Sequence, residues 1–270
     1  MSLFTVFGGK GFIGSSVVLK LRSYGYDVYV PEKKDEGIFN RNLGTVIYCA
    51  GHGDCKNNPF KVLDANLTLL SQLLEYADFE KLIYISSTRV YINQDHSSES
   101  SDVTISTNDE RRLFNLSKLT AEEVCMRSGR NTCVVRPSNV YGVAINSPLF
   151  LPSITRDAII HGVVNMYVTP LYEKDYVSVF DVVDMIIKIS DKDTYNGDVY
   201  NIASGLNVSA EDIANILELE TGCKINWHKS FNNELFPVVP INKLREEFGF
   251  TPRNVLDDLK IMINDFKKVL

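Results

Sequence analysis

Apolar positions along this chain come in short runs separated by amphipathic stretches, and the alternation predicts strands and helices in turn. Residues 4–7 (Phe-Thr-Val-Phe) read as a strand that breaks at Gly8, and residues 13–23 as a helix with Val17, Val18 and Leu21 on its apolar face. Residues 27–30 and 45–50 are two further strands. Residues 60–76 carry Leu63, Leu67, Leu70 and Leu74 at helical spacing; 81–86 form a strand, 110–127 a helix, and 132–136 a strand stopped by Pro137. Such alternation points to an α/β fold, a Rossmann-type doubly wound parallel sheet. Residues 93–109, rich in Ser, Asn, Asp and Thr, read as an exposed loop. The span 31–44 is too short for a helix, a strand and their loops, so the sheet is expected to be abridged there. Past Gly142 the pattern loosens, with prolines at 148, 152, 170, 237, 240 and 252, and this part reads as a smaller lobe.

Composition narrows the class. With 270 residues, 44% of them hydrophobic and 23% charged, the chain can bury the core of one large globular unit, or of a dominant unit with a smaller companion. A formal charge of −6 gives no basic excess of the kind nucleic-acid binding needs, and the pairs Lys33-Lys34, Arg111-Arg112 and Lys267-Lys268 read as solvated faces. The apolar runs are strand-sized, well short of the roughly 20 residues that span a bilayer. The segment from Met1 to Phe7 lacks the basic start and cleavage site of a signal peptide. The five cysteines, Cys49, Cys55, Cys125, Cys133 and Cys223, form neither a C-x-x-C pair nor a Cys/His cluster at zinc spacing. These features lead us to expect a cytoplasmic protein with reduced thiols, no metal, no nucleic-acid partner and no membrane anchor.

Candidate chemistry begins at the first strand–helix junction. Gly8, Gly11 and Gly14 follow a strand and open a helix, together with Lys10, Phe12 and Ile13. Such a turn brings backbone N–H groups and a helix N-terminus up to a dinucleotide pyrophosphate. Glu32, at the end of the second strand, stands where a carboxylate would bind the adenosine ribose of NAD. Lys10, Lys33 and Lys34 are placed for the extra phosphate of NADP. Three cations around one anion tilt the expectation to NADP, and Glu32 keeps NAD open. Residues 1–145 with about 175–204 are expected to form the NAD(P)-binding domain. About 146–174 and 205–270 would form a substrate-binding lobe over the carboxyl ends of the strands. His52, after the Ala50-Gly51 turn, reads as an ordinary polar residue that could approach the cofactor, whereas His96, His161 and His228 have no partners at recognisable spacing. Trp227 reads as core, Asp181 and Asp184 as residues of a helix start, and Glu122-Glu123 as no paired-carboxylate site.

The order of these motifs resembles the extended short-chain dehydrogenase/reductase family, which includes nucleotide-sugar epimerases, dehydratases and 4-ketoreductases. The likeness runs from the G-x-x-G-x-x-G turn through Cys49-Ala50-Gly51, Asn66 in DANLTLLSQLLE, Ser86-Ser-Thr-Arg-Val-Tyr91 and NLSKLTAEE (115–123). It continues through Arg136-Pro-Ser-Asn-Val-Tyr-Gly142, EKDYVSVFDVVDMI (173–186), GDVYNIASG (197–205) and the tail 241–259. The resemblance implies that Ala50, Gly51, Asn66, Ser86, Lys118 and Pro137 belong to the cofactor site. Ser87 would hydrogen-bond the reacting sugar oxygen, with Thr88 beside it. Lys118 would hold the nicotinamide ribose and lower the pKa of a catalytic tyrosine. Asn139 and Lys174 would face the sugar-nucleotide diphosphate, Lys174 standing where the family prefers arginine. A second family arginine, expected near 229–231, is missing, with Lys229 the nearest substitute. The resemblance also implies a homodimer formed through the helices starting near Phe60 and Glu110.

One departure bears on the chemistry. The family's Tyr-x-x-x-Lys is Phe114-Asn-Leu-Ser-Lys118 here. Positions i and i+4 share a helix face, so the geometry can persist while the phenolic oxygen is gone, and a positioned acid or base is worth roughly 10²- to 10⁴-fold in rate. Three origins are compatible with the sequence: a deliberate Tyr→Phe change that stalls turnover, a natural site in which Ser87, Thr88, Tyr91 or a water relays the proton, and a protein that has lost catalysis and kept binding. Thr88 is followed by Arg89-Val90 rather than by the Asp-Glu of the family's 4,6-dehydratases, which disfavours dehydration. What remains is NAD(P)-dependent reduction of a nucleotide-linked 4-keto (deoxy)sugar, with a nucleotide-sugar epimerase as the alternative. A non-catalytic NAD(P)- or nucleotide-sugar-binding protein is the alternative of another class.

Overall fold

The structure, a computed structural model, describes residues 2–145, 147, 149–229 and 234–270, so Pro148 lies outside it. The first half runs β1 (Leu3–Phe7), α1 (Phe12–Ser23), β2 (Asp27–Tyr29), β3 (Thr45–Tyr48), α2 (Pro59–Leu63), α3 (Leu69–Tyr76), β4 (Lys81–Ile85), α4 (Arg112–Arg127), β5 (Thr132–Pro137) and β6 (Asn139–Tyr141). The second half runs α5 (Phe150–His161), β7 (Val163–Met166), β8 (Glu173–Ser178), α6 (Val179–Ser190), β9 (Val199–Ile202), β10 (Asn207–Ser209), α7 (Ala210–Thr221), β11 (Lys224–Trp227), α8 (Asn242–Phe248) and α9 (Val255–Val269).

Six parallel strands form the central sheet in the order β2-β1-β3-β4-β5-β9. Val46, Ile47, Leu82, Ile83 and Val135 are fully buried, as expected of strands covered by helices on both faces. One face packs with α1 and α6 around Val17, Leu21, Val182 and Ile186. The other packs with α3 and α4 around Leu70, Leu73, Leu74 and Ala121. Only a short 3-10 turn, Glu36–Phe39, lies between β2 and β3, so the abridgement expected from the spacing is present. A separate apolar cluster joins α5, α7 and α9 through Leu151, Ile154, Leu217, Leu259 and Phe266. Beside it lie a three-stranded sheet, β10-β8-β6, and the parallel pair β11-β7. No helix among the described residues is long and apolar enough to cross a membrane.

Three local expectations need correction. Pro137 lies inside its strand rather than just beyond it: the strand ends there, with Pro137 the last residue of β5, paired in register with Ile202. Val135 accepts from the Ser86 N–H, so the donor that Pro137 lacks would point toward β4, which has already ended at Ile85. The run 59–76 is not one regular helix either, because a π turn over Asp64–Thr68 joins α2 to α3. Trp227 is not core: it ends β11 with 38% of its surface exposed.

Candidate functional site

The carboxyl ends of β1, β3, β4 and β5 meet along one edge of the sheet, where open α/β sheets bind ligands. Gly8 has φ 74° and sits so close to the turn after β3 that a Cβ on it would lie 2.6 Å from the Ala50 nitrogen. A Cβ on Gly14 would collide with the Gly8 carbonyl oxygen, so helix and strand approach closely only with glycine there. Gly11 is the N-cap of α1; no side chain caps that end and its first turn holds no acidic residue, which leaves it open to an anion. Phe12 and Ile13 are half-buried in the same turn. Glu32 and Lys10 are both exposed and pair with each other, Nζ to carboxylate 2.5 Å, while Lys33 and Lys34 face solvent. The glycine cradle and the uncapped helix fit a dinucleotide. Among the described residues no group of His, Cys, Asp or Glu could hold a metal ion.

Behind the cradle, the π turn points Asn66 inward, where it is fully buried. Its amide accepts from the His52 N–H at 3.0 Å and donates to the His52 carbonyl and to the Ser117 hydroxyl, so Asn66 positions the Ala50–His52 turn from one layer back. His52 Nε2 is buried and has no hydrogen-bond partner among the described residues. An unpaired buried nitrogen is costly, and its place beside the Gly51 turn is consistent with a ligand completing the site. A Cβ on Gly51 would lie 3.6 Å from Lys118 Nζ. That ammonium is itself buried and donates to the Ile85 carbonyl at 2.8 Å. Burial lowers its pKa to about 8, against the pull of Glu122.

Phe114 lies one helical turn before Lys118, with Nζ 5.8 Å from its ring centre. Ser87 is half-buried at the end of β4; its Oγ accepts from the Arg89 N–H at 3.1 Å, leaving the hydroxyl proton to donate elsewhere. Thr88 is buried beside it. Ser86 points the other way and donates to Glu122, which is locked to Arg136 by a buried ion pair of 2.5 Å. Tyr91, the other phenol near the serine strand, donates to the Asn201 side chain or the Ser98 carbonyl and accepts from Arg136, and it is fully buried. Its hydroxyl is thereby tied into the protein, away from the serine it follows. Glu123 pairs on the surface with Arg127, so Glu122-Glu123 are not a paired-carboxylate site.

On the far side, Pro137 is buried and Asn139 donates to the Asp175 backbone carbonyl at 2.8 Å. Asp175 is buried on donors from Ser138, Ser204 and Gly205, and burial holds its pKa above the usual carboxylate range despite them. Next to it on β8, Lys174 has its ammonium 4.8 Å from the Tyr172 ring centre and 4.7 Å from that of Phe236. Desolvation lowers its pKa to about 8, with Arg89 and Arg111 adding to the effect and Glu234 opposing it. Lys229 is exposed beyond β11, and positions 230–231 lie outside the described residues.

The sequence offers no reading of the ion cluster at the mouth of this site. Arg89 is 7% exposed and makes a fork with Asp109, at 2.7 and 3.0 Å, and a further contact with Glu234 at 2.9 Å. Burial would raise the Asp109 pKa, but Arg89 and the Arg111 N–H hold it below its ordinary value. Arg111 and Arg112 separate in role. Arg112 donates to the Thr107 carbonyl at the surface, whereas the Arg111 guanidinium lies 4.9 Å from the centre of the Phe114 ring. Both residues are exposed, as expected of a solvated face, but Arg111 also rests one side of its guanidinium on the Phe114 ring. The signal available in the sequence was Arg89 itself, a charge directly after Thr88 that a buried position obliges to find carboxylates.

Comparison with known proteins gives the same picture. Residues 4–203 match the model of the NAD dependent epimerase/dehydratase family. No curated protein matches the chain at a significant level. Among solved structures, the chain is similar to MoeE5 in complex with UDP-glucuronic acid and NAD, with 21% identity, 99% and 100% of the two chains covered and a TM-score of 0.87. It is also similar to UDP-glucose 4-epimerase from Thermotoga maritima with UDP-glucose, with 22% identity, 98% and 99% coverage and a TM-score of 0.82. A third is a tyrosine-to-phenylalanine variant of UDP-glucuronic acid 4-epimerase from Bacillus cereus, in complex with NAD and a fluorinated UDP-glucuronic acid, with 18% identity, 99% coverage of both chains and a TM-score of 0.83. At these identities the likeness speaks for the fold.

Proposed function

The chain belongs to the NAD dependent epimerase/dehydratase family, and from that premise we propose that it performs oxidoreduction at C4 of a nucleotide-linked sugar, with net reduction of a 4-keto sugar as the primary reading. The observation that carries it is the grouping of a desolvated Lys118 ammonium, a free-donating Ser87 hydroxyl and the Phe114 ring beside the glycine cradle. When bound there, the nicotinamide supplies or accepts the hydride. Lys118 has three N–H donors and gives one to Ile85, which leaves two for ribose hydroxyls. Ser87 donates to the sugar oxygen and orients C4. Phe114 holds the sugar against the cofactor but cannot transfer a proton, and Tyr91 is tied into its buried network. The proton therefore travels through Ser87, Thr88 or a water, at reduced rate. Lys174 and Asn139 face the diphosphate. Residues 1–145 with about 175–204 bind the cofactor in this reading, and the remainder binds the sugar nucleotide.

Cation count in the sequence favours NADP. Lys10 pairs with Glu32, so that contact engages one cue for each cofactor; two of the similar structures above hold NAD, and on that ground we read NAD as the working cofactor. Epimerisation is the second reading, favoured by the likeness to 4-epimerases. The test is an assay of this protein and its Phe114→Tyr variant with NADH or NADPH and a panel of nucleotide-linked 4-keto sugars. The variant is expected to oxidise the cofactor about 10²- to 10⁴-fold faster. Silence from both, with cofactor bound, overturns the reductase and leaves an epimerase or a binding protein. We also propose a homodimer through α2, α3 and α4, which expose Phe60, Tyr76 and Leu116. Light scattering is expected to give twice the chain mass, and a monomer at micromolar concentration overturns it.

A further inference from the structure

In the mouth cluster, Arg111 and Lys174 carry charges that no carboxylate contacts directly among the described residues, and of the two Arg111 has the planar group. Its guanidinium makes no hydrogen bond or ion pair among the described residues, although the Arg89 beside it is held by Asp109 and Glu234. Three cations, Arg89, Arg111 and Lys174, act on one another there against two carboxylates, Asp109 and Glu234. The local balance is positive in a chain whose formal charge is −6. One face of the Arg111 group is open to solvent. The other is walled by the Phe114 ring at 4.9 Å and by Gly53, where a Cβ would come within 3.1 Å of the guanidinium. Loss of solvent against that wall, and then the charge of Arg89, pull its pKa below the usual arginine value. The backbone adds to the field: Arg111 is the N-cap of α4, a 16-residue helix with no acidic residue in its first turn.

We propose that Arg111 receives a carboxylate carried by the sugar itself, so that the substrate class is a nucleotide-linked uronic acid. The inference rests on the C4-oxidoreduction reading, and the different neighbours of Arg111 and Lys174 assign the first to the sugar and the second to the diphosphate. Arg111 stands against Phe114, the seat of the reacting carbon, whereas Lys174 stands on β8 between two aromatic rings. A guanidinium fork matches a carboxylate with two parallel hydrogen bonds. Such a charged contact is worth about 10- to 100-fold in affinity.

The experiment is calorimetric binding of UDP, UDP-glucose and UDP-glucuronic acid, with the dTDP series beside them, to the NAD-loaded protein and to Arg111→Gln and Arg111→Lys. The expected result is that the uronate binds at least tenfold tighter than the neutral sugar, that Arg111→Gln abolishes this preference, and that Arg111→Lys keeps part of it. Equal binding of the two sugars, or a preference that survives Arg111→Gln, overturns the proposal and leaves the C4 reading standing. An equal loss for UDP and both sugars in Arg111→Gln also overturns it, assigning Arg111 to the diphosphate. If none of the nucleotides binds, the proposal and the C4 reading fall together.

Discussion

A buried ammonium with a single acceptor among the described residues is a destabilising choice unless something else uses its other donors, and Lys118 is such a group. Replacing it with Met is expected to leave the melting temperature unchanged or higher while weakening dinucleotide affinity at least tenfold; thermal melts paired with cofactor titration check this. The pH dependence follows from the same residue. Its pKa is about 8 in the folded chain against an ordinary 10.5, so between these values the unfolded chain binds more protons and this group's contribution makes folding stability rise with pH. Cofactor affinity is expected to run the other way, falling above about pH 8 as the ammonium is lost, a trend that Lys118→Met should erase. Phe114 and Lys118 were legible through the family resemblance, which sets them where Tyr-x-x-x-Lys stands, and the i, i+4 spacing keeps them on one helix face. Arg111 was not, because two adjacent exposed arginines carry no mark of which one lies against the site; that depends on where Gly53 and Phe114 meet.

At the level of elements, helical periodicity found the run 60–76 but not the π turn inside it. The spacing of Leu63, Leu67, Leu70 and Leu74 suits an ordinary helix, and a single extra residue leaves that pattern nearly intact. Its effect is to place an asparagine, Asn66, at a fully buried point between two helices and a loop. Asn66→Ala removes the partners of the His52 backbone and of Ser117, and is expected to cost about 1–3 kcal/mol in urea unfolding and to reduce cofactor affinity with it. The Glu122–Arg136 pair is buried behind Ser86, at the back of the site. Leaving Arg136 buried without its carboxylate in Glu122→Gln is expected to cost about 3–5 kcal/mol, seen as a lower urea midpoint. The sequence marked Glu122 only as an unremarkable acid, since nothing local shows that an arginine 14 residues later returns beside it.

For the whole molecule, the doubly wound sheet and its missing unit could be read from strand spacing, because 31–44 cannot hold a helix and a strand. Pairings between distant segments could not: β7 and β11 are parallel neighbours separated by three other strands in the chain, and no periodicity connects them. The same distance separates β5 from its outer neighbour β9, which is reached only after two helices and three strands have intervened. This has a consequence for birth at the ribosome. Strands β1 to β5 emerge early and can pair in sequence, but one side of β5 stays without a partner until residues 199–202 appear. At about 5–20 residues per second that interval lasts on the order of several seconds, during which a buried strand of Thr, Cys and Val offers its backbone to any other chain. A nascent chain arrested before Val199 is expected to pellet with aggregates, and one released after the β9 segment to stay in the supernatant. The last strand of the sheet thus works as a clasp, and the time it takes to arrive is the period in which that edge of β5 stays open.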